Sequence, residues 1–286
     1  MALDALQKEF TEDRPLVLVG CGNMGAALLA GWLENGLSPS AVHTVDPLTD
    51  PLVPHKLAGV YRDPGDFFAV CEDKGISPSA LVLAVKPQYM ADAVEPYRSK
   101  IPVDCLVISI AAGLKEAFYR SVFGVDQPLV RVMPNTPAAV GFGASLLCDL
   151  GGTNPLHRSM AESMLNTVGV YAWVDDESKI DSLTGVTGSG PAYVFLLIEA
   201  LAAAGVDQGF TLDQAEEMAK QVVLGAATLA STSGQSPMTL RENVTSPGGV
   251  TKAALDILMK PKDGLIDLLI EACRAGTARA KELGET

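Results

Sequence analysis

The sequence predicts an α/β N-terminal Rossmann-like dinucleotide-binding domain followed by an all-α C-terminal domain. Three observations carry this. Short apolar runs alternate with helical patterns through the first half. A glycine fingerprint, Gly20-Cys21-Gly22-Asn23-Met24-Gly25, stands between the first apolar run and the first helix. Strand signals then stop near residue 176, and only helical patterns follow.

Leu16–Val19 (LVLV) reads as the first strand, and residues 26–34 as a helix closed by Gly36, a residue suited to a left-handed cap. Further strands are expected at Val42–Val45, 80–85, 106–110 and 129–132. These runs are apolar on both faces, as in a parallel sheet covered by helices on either side. In the second half, helices are expected over 191–204, from Thr211 to about Thr232, over 251–259 and over 262–283. Pro191 suits a first turn, and Thr211 with Gln214 forms a capping-box pair. The expected division is 1–176, with 1–14 as an extension, and 177–286.

The length of 286 residues fits two domains at roughly 150 residues each. With 48% hydrophobic and 19% charged residues, the chain has enough apolar material for packed cores and is not a disordered polymer. A formal net charge of −13 disfavours nucleic acid and anionic lipid as partners. Five scattered cysteines without a CxxC read as thiols of a reducing cytosol. His43, His55 and His157 have no metal-ligand spacing, so no metal is expected. Residues 2–14 are charged throughout, unlike a signal peptide, and the apolar stretch at 192–198 stops at Glu199. A cytoplasmic protein without a membrane partner is the expectation.

The fingerprint has its specific context: it follows a strand and opens a helix. Its glycines allow a tight turn and let a pyrophosphate reach backbone N–H groups at a helix N-terminus; the alternative is a plain glycine turn. Asp46 ends the second strand, where an acid meets the adenine ribose hydroxyls. A 2′-phosphate there would face a carboxylate, at a cost of about 4 kcal/mol at 4 Å and an effective dielectric near 20, or nearer 1 kcal/mol in water. No Arg or Lys follows in sequence until Lys56. NADH is therefore expected over NADPH.

Lys86, in Ala84-Val85-Lys86-Pro87, and Ala111-Ala112-Gly113 end strands on the side where open α/β sheets bind ligands. Lys86 reads equally as a solvated lysine. Residues 131–137 (RVMPNTP) read as a rigid polar loop held by two prolines, functional or structural. Residues 184–193 (TGVTGSGPAY) and 243–251 (NVTSPGGVT) are uncharged, glycine-rich and lead into helices, as anion-binding termini do. Simple capping, with Thr251 as the N-cap, is the alternative.

These segments, in this order from Gly20 to about Leu283, resemble the pyrroline-5-carboxylate reductase family. The resemblance implies reduction of 1-pyrroline-5-carboxylate to L-proline with NADH or NADPH, the last step of proline biosynthesis. It also implies a homodimer through the helical half or a ring of dimers, with the active site completed by the partner chain. By position, it assigns cofactor binding to Gly20, Gly22, Asn23, Met24, Gly25, Asp46, Val85, Lys86, Pro87, Ala112 and Asn243. Substrate binding falls to Glu177, Gly248, Gly249, Val250 and Thr251, with Thr251 as the catalytic residue. Position 46 is often a small polar residue in that family, so Asp46 is a departure. Two other readings stand beside this one: a two-domain hydroxyacid-type dehydrogenase, which would want a general-acid lysine or histidine in the helical half, where Lys179, Lys220 and Lys252 are the lysines near candidate segments and none sits in a matching motif, and a non-catalytic dinucleotide-sensing dimer.

Overall fold

The computed structural model describes residues 2–48 and 56–284. His55 and Met1 lie outside the described residues. The elements follow in chain order: α1 (Ala2–Glu9), β1 (Leu16–Val19), α2 (Asn23–Glu34), β2 (Val42–Val45), β3 (Gly59–Tyr61), α3 (Pro64–Lys74), β4 (Ala80–Leu83), α4 (Pro87–Val94) and β5 (Leu106–Ser109). After them come α5 (Glu116–Phe123), β6 (Leu129–Met133), β7 (Gly143–Asp149), α6 (Pro155–Asn166), β8 (Gly169–Val174) and α7 (Glu177–Thr187). The chain ends with α8 (Gly190–Asp207), α9 (Leu212–Thr232), α10 (Pro237–Asn243), α11 (Val250–Leu258) and α12 (Leu265–Gly284).

Among the described residues the strands form one eight-stranded sheet of order β3-β2-β1-β4-β5-β6-β7-β8. Neighbours are parallel except β6 and β7. The chain winds outward in opposite directions from β1 and β4, so the topological switch point lies between them, and ligands of such sheets bind beyond the carboxyl ends of the strands there.

The alternation of side chains along each strand builds a core on each face. On one face Leu16, Leu18, Val82 and Ile108 pack with Leu28, Leu29 and Trp32 of α2 and with Met160 and Met164 of α6. On the other, Val17, Val19, Leu81 and Val107 pack with Phe67 of α3, Met90 of α4, Tyr119 of α5 and Ile180 of α7. The extension is part of this structure: Leu6 and Phe10 are buried in the first core, and Ser159 on α6 donates to Glu9 at 2.9 Å.

Two compact units result: residues 1–188 with 276–286, and residues 189–275. The residue pattern changes at 176, but α7 packs on the sheet through Ile180, so the compact unit runs past that change. In the second unit α8 packs on α9 around Ala202, Ala215 and Ala219, with Ile198 against them. Thr211 caps α9, its hydroxyl accepting from the Gln214 amide, in the capping box read from the sequence. Much of the rest of this unit is apolar and exposed, including Phe195, Leu196, Val222, Leu224 and Ile257.

Candidate active site

The glycine loop follows β1 directly, and its first glycine has a steric reason to be one. Gly20 adopts φ +91°, and a Cβ there would lie 2.7 Å from the Ala84 carbonyl oxygen. A Cβ on Gly25 would lie 2.2 Å from the Gly20 carbonyl oxygen, so the start of α2 can sit this close to the loop only without one. A Cβ on Gly22 would meet nothing within 4 Å, so the space in front of α2 is open. Gly22 is also the N-cap of α2 and offers no side-chain acceptor to the first helical amides. Those amides have no intrahelical partner and face a positive helix end, which fits a pyrophosphate.

Asp46 stands at the carboxyl end of β2. Its Oδ2 accepts from the Cys21 amide at 2.6 Å and its Oδ1 from the Leu48 amide at 2.8 Å. The Asp46 amide donates to the Tyr61 carbonyl at 3.0 Å, which puts Arg62 next along the adjoining strand end. The sequence reading passed over β3 and with it this cation, which is nearer to Asp46 in the fold than the sequence separation implies. Burial, and secondarily the Asp46 charge, push the Cys21 thiol up to about 12, so it is no nucleophile at neutral pH.

The other cofactor candidates of this unit lie along the same edge. Val85 is half-buried after β4, Lys86 is the exposed N-cap of α4, and Pro87 opens that helix. Ala112 is exposed in the turn after β5. Asn23 and Met24 form the first residues of α2. The structure therefore brings Gly20, Gly22, Asn23, Met24, Gly25, Asp46, Val85, Lys86, Pro87 and Ala112 to the carboxyl ends of β1, β2, β4 and β5.

The 131–137 segment divides. Arg131 belongs to β6 and is 1% exposed. Its guanidinium meets Glu177 at 3.2 Å and Asp181 at 2.7 Å. Asn135 is buried, donates to the Thr187 carbonyl at 2.9 Å and accepts from the Ala144 amide at 2.9 Å. Its side chain pins the loop and is engaged on both ends.

Glu177 stands apart from the glycine loop. It accepts from the Glu116 amide at 3.0 Å as well as from Arg131. It lines a cavity of about 620 Å³ with Lys115, Glu116, Asp149, Asp176 and Asp181. This cavity lies toward the amino end of β6, where the Leu129 amide donates to the Gly151 carbonyl at 3.1 Å. Thr187, at the far end of α7, is the residue that reaches Asn135 at the carboxyl end of β6. Ten residues of helix separate the two ends, roughly 15 Å at 1.5 Å per residue.

Within the second unit, α11 starts at Val250 with Gly249 as its N-cap and no capping side chain. Thr251 is therefore not the N-cap that the sequence allowed; it is the second helical residue, and exposed. A glycine cap makes the difference, because the amides of the first turn then have no side-chain acceptor competing for them. Gly248 turns with φ +70°, and Val250 is 90% exposed. Asn243 ends α10 and donates to Gln235 at 3.0 Å.

The other glycine-rich segment is not an open terminus. Residues 184–187 complete α7, and α8 resumes at Gly190. The Thr184 hydroxyl donates to the Ile180 carbonyl at 2.7 Å, and the Gly188 amide to the Thr184 carbonyl at 2.9 Å. The preceding helix already takes up these polar groups. The lysines near the candidate segments are each paired with an acid: Lys179 with Asp175, Lys220 with Glu216 and Lys252 with Asp256.

Residues 177–283 match the family model for pyrroline-5-carboxylate reductase dimerisation. Residues 15–113 match a model described as NADP oxidoreductase coenzyme F420-dependent. The pyrroline-5-carboxylate reductase of Pseudomonas aeruginosa is 35% identical over 270 residues, covering 94% of this chain and 97% of that protein. The Arabidopsis thaliana enzyme of that name is 35% identical over 274 residues, covering 94% of this chain and 95% of its own. The solved structure of a pyrroline-5-carboxylate reductase from Coxiella burnetii superposes with a TM-score of 0.82 at 34% identity, covering 96% of this chain and all (100%) of that one. A Plasmodium falciparum pyrroline carboxylate reductase solved with NADP bound has a TM-score of 0.78 at 27% identity, covering 96% of this chain and 99% of its own. With a glycine cradle at the switch point and identity of this order over nearly its whole length, the chain belongs to the pyrroline-5-carboxylate reductase family.

Proposed function

We propose that the protein reduces 1-pyrroline-5-carboxylate to L-proline with NADH or NADPH, the last step of proline biosynthesis. The observation that carries this is the cradle at the carboxyl end of β1: two glycines that no other residue could replace at those distances, opening on a helix start with free space in front. The residues present thus fit a dinucleotide. A bound reduced nicotinamide supplies a hydride to the imine carbon of the substrate.

The chain's own residues bind and orient. Gly20, Gly22, Asn23, Met24 and Gly25 hold the pyrophosphate through amides at the start of α2. Asp46 meets the adenine ribose. Val85, Lys86, Pro87 and Ala112 line the nicotinamide side, and Asn243 contributes from the end of α10. Amides of Gly248, Gly249, Val250 and Thr251 at the start of α11 seat the substrate carboxylate. The Thr251 hydroxyl hydrogen-bonds the imine nitrogen and holds its proton in place as the nitrogen becomes an amine. Glu177 is the substrate candidate with least support, since its carboxylate already serves Arg131 and the Glu116 amide. In function we divide the chain into a cofactor part, 1–176, and a substrate and dimerisation part, 177–286.

The acid at position 46 supports a preference for NADH. Arg62 at the adjoining strand end moderates that preference, because it offers a 2′-phosphate a counter-charge. We further propose a homodimer, or a ring of dimers, that covers the apolar surface of the helical unit. The helical run over 177–207 is, by length and composition, apolar enough to cross a membrane, which the stop at Glu199 did not indicate. Its first part is bound to the sheet through Ile180 and the Arg131 ion pairs, which favours a protein partner over lipid for the rest and a cytoplasmic location. Following absorbance at the nicotinamide band with pyrroline-5-carboxylate, with NADH and NADPH in parallel, tests reaction and cofactor together. Substrate-dependent oxidation of neither nucleotide would leave the non-catalytic sensing dimer as the better reading.

A further inference from the structure

We propose that Asp46 is the latch of the glycine loop as well as its acid at the ribose, so that one carboxylate sets both loop geometry and cofactor choice. The inference rests on the cofactor reading above and concerns how that site is built. The carboxylate is engaged by two backbone amides from different turns: Cys21, in the turn after β1, and Leu48, in the turn after β2. The Cys21 bond, at 2.6 Å, is short and charge-assisted. On the preceding residue the Gly20 amide donates to the Val45 carbonyl at 2.9 Å. The sheet therefore holds the loop at Gly20 through the backbone, and Asp46 holds it one residue further on through a side chain.

This arrangement alters what a substitution at position 46 does. A small polar residue would lift the repulsion felt by a 2′-phosphate. It would also release the Cys21 amide and loosen the turn whose neighbouring amides must meet the pyrophosphate of either cofactor. Asp46→Ser is therefore expected to lower kcat/KM with NADH and to fail to raise it with NADPH. Asp46→Asn keeps one carbonyl oxygen and can satisfy one of the two amides, so it falls between wild type and Asp46→Ser.

Cys21 provides a readout that needs no turnover. Its side chain is 1% exposed, and Cys105, just before β5 at the opposite end of the sheet and in the other core, is a second buried thiol. Without nucleotide, Asp46→Ser is expected to speed iodoacetamide labelling of Cys21, mapped by mass spectrometry, by roughly tenfold or more relative to Asp46→Asn, which loses the same charge but keeps an acceptor for the Cys21 amide. Labelling of Cys105 should stay at the wild-type rate. Unchanged Cys21 labelling together with a rise in NADPH efficiency would overturn the latch and leave Asp46 acting on the cofactor alone. Equal acceleration at Cys105 would overturn it too, because the change would then be global unfolding. If wild type turns over neither nucleotide, the functional reading fails while the labelling still decides the latch.

Discussion

Two glycines of one loop should respond to alanine differently in stability while both lose cofactor affinity, and the difference tests the cofactor cradle. At Gly25 a Cβ would lie 2.2 Å from the Gly20 carbonyl oxygen and 3.2 Å from the Ala84 Cβ. Ordinary contact begins near 3.4 Å, so loop and helix must part by about 1 Å, and neither backbone is the end of a flexible side chain. Overpacking of this kind costs typically 1–3 kcal/mol. At Gly22 the same Cβ meets nothing within 4 Å, and the backbone there, φ −67° and ψ −172°, suits any residue. Loss of a glycine N-cap costs up to about 1 kcal/mol. The stiffer unfolded chain returns about 0.4–1 kcal/mol, so Gly22→Ala should be close to neutral in stability. Its methyl group nevertheless occupies the open space in front of α2, where the pyrophosphate is to approach. The expected result is a KM for NADH raised about tenfold or more in Gly22→Ala at unchanged melting temperature. Gly25→Ala should show both a lower melting temperature and weaker cofactor binding. Titrating NADH fluorescence against each variant beside a thermal melt reads both quantities. A Gly22→Ala protein that binds NADH as wild type does would refute the placement of the pyrophosphate at this helix start.

Thr251→Ala should lower kcat/KM for pyrroline-5-carboxylate by roughly 10²-fold or somewhat less, with no change in melting temperature because the residue is exposed; an unchanged rate removes Thr251 from the chemistry. Arg62→Ala should raise the KM for NADPH about five- to tenfold and leave that for NADH nearly as it was, in steady-state assays with each nucleotide. Arg131→Met strands the Glu177 and Asp181 carboxylates beside an apolar side chain, and should destabilise the first unit by about 3–5 kcal/mol at pH 7 in urea unfolding. Adding Glu177→Gln and Asp181→Asn should recover part of that loss, and a loss that is instead unchanged argues against the ion pairs as its source. His43 is buried, and desolvation, then Lys74, lowers its pKa to about 4 from 6.5. The unfolded chain therefore takes up a proton at this site before the folded one does, so the contribution is complete above pH 6.5 and lost as pH falls toward 4. The full loss is about 3 kcal/mol. Wild type should lose correspondingly more stability than His43→Gln between pH 7 and 4.5, and parallel pH curves would contradict the assignment.

Where packing follows from local pattern, the sequence was a sufficient guide. LVLV and VHTV fold as the strands expected at Leu16–Val19 and Val42–Val45, because a strand buried on both faces needs continuous apolar residues. Thr211 and Gln214 cap α9 as their spacing requires. Other elements depend on partners far away in sequence. β3 is three residues at the sheet edge, too short for a periodic signal, yet its Tyr61 carbonyl meets the Asp46 amide and sets Arg62 at the adjoining strand end. β8 (GVYAWV) does show alternating burial and aromatic, β-branched composition, a signal that was present and passed over. Residues 184–190 mislead because glycine and threonine suit termini in general. Here the Thr184 hydroxyl turns back onto its own helix, and two residues in sequence, Gly188 and Ser189, separate α7 from α8. Arg131 left a trace as well: an arginine inside LVRVM must meet counter-charge, and Glu177 and Asp181 are spaced to present it from one helix face.

These distant pairings also account for how a chain of net charge −13 can serve anionic ligands. The glycine loop (20–25) and the start of α11 (248–251) contain no charged side chain, so the binding proposed there would rest on backbone amides and the helix dipole. Glu177 and Asp181 share the Arg131 guanidinium, and six acids with Lys115 line the cavity at the amino end of β6, away from the glycine loop. At ordinary ionic strength an exposed charge more than about 8–10 Å away is largely screened. The acid surplus therefore governs the outer surface, while on the proposed reading each anion meets only its local amides. Asp46 is the exception that is placed at the cofactor edge. Its charge is partly committed to the Cys21 and Leu48 amides, so its repulsion of a 2′-phosphate is weaker than that of an isolated carboxylate. With Arg62 at the neighbouring strand end, the discrimination between the two nucleotides should be graded, and it should widen as salt is lowered, where the acid surplus is no longer screened and adds to the repulsion of the extra phosphate.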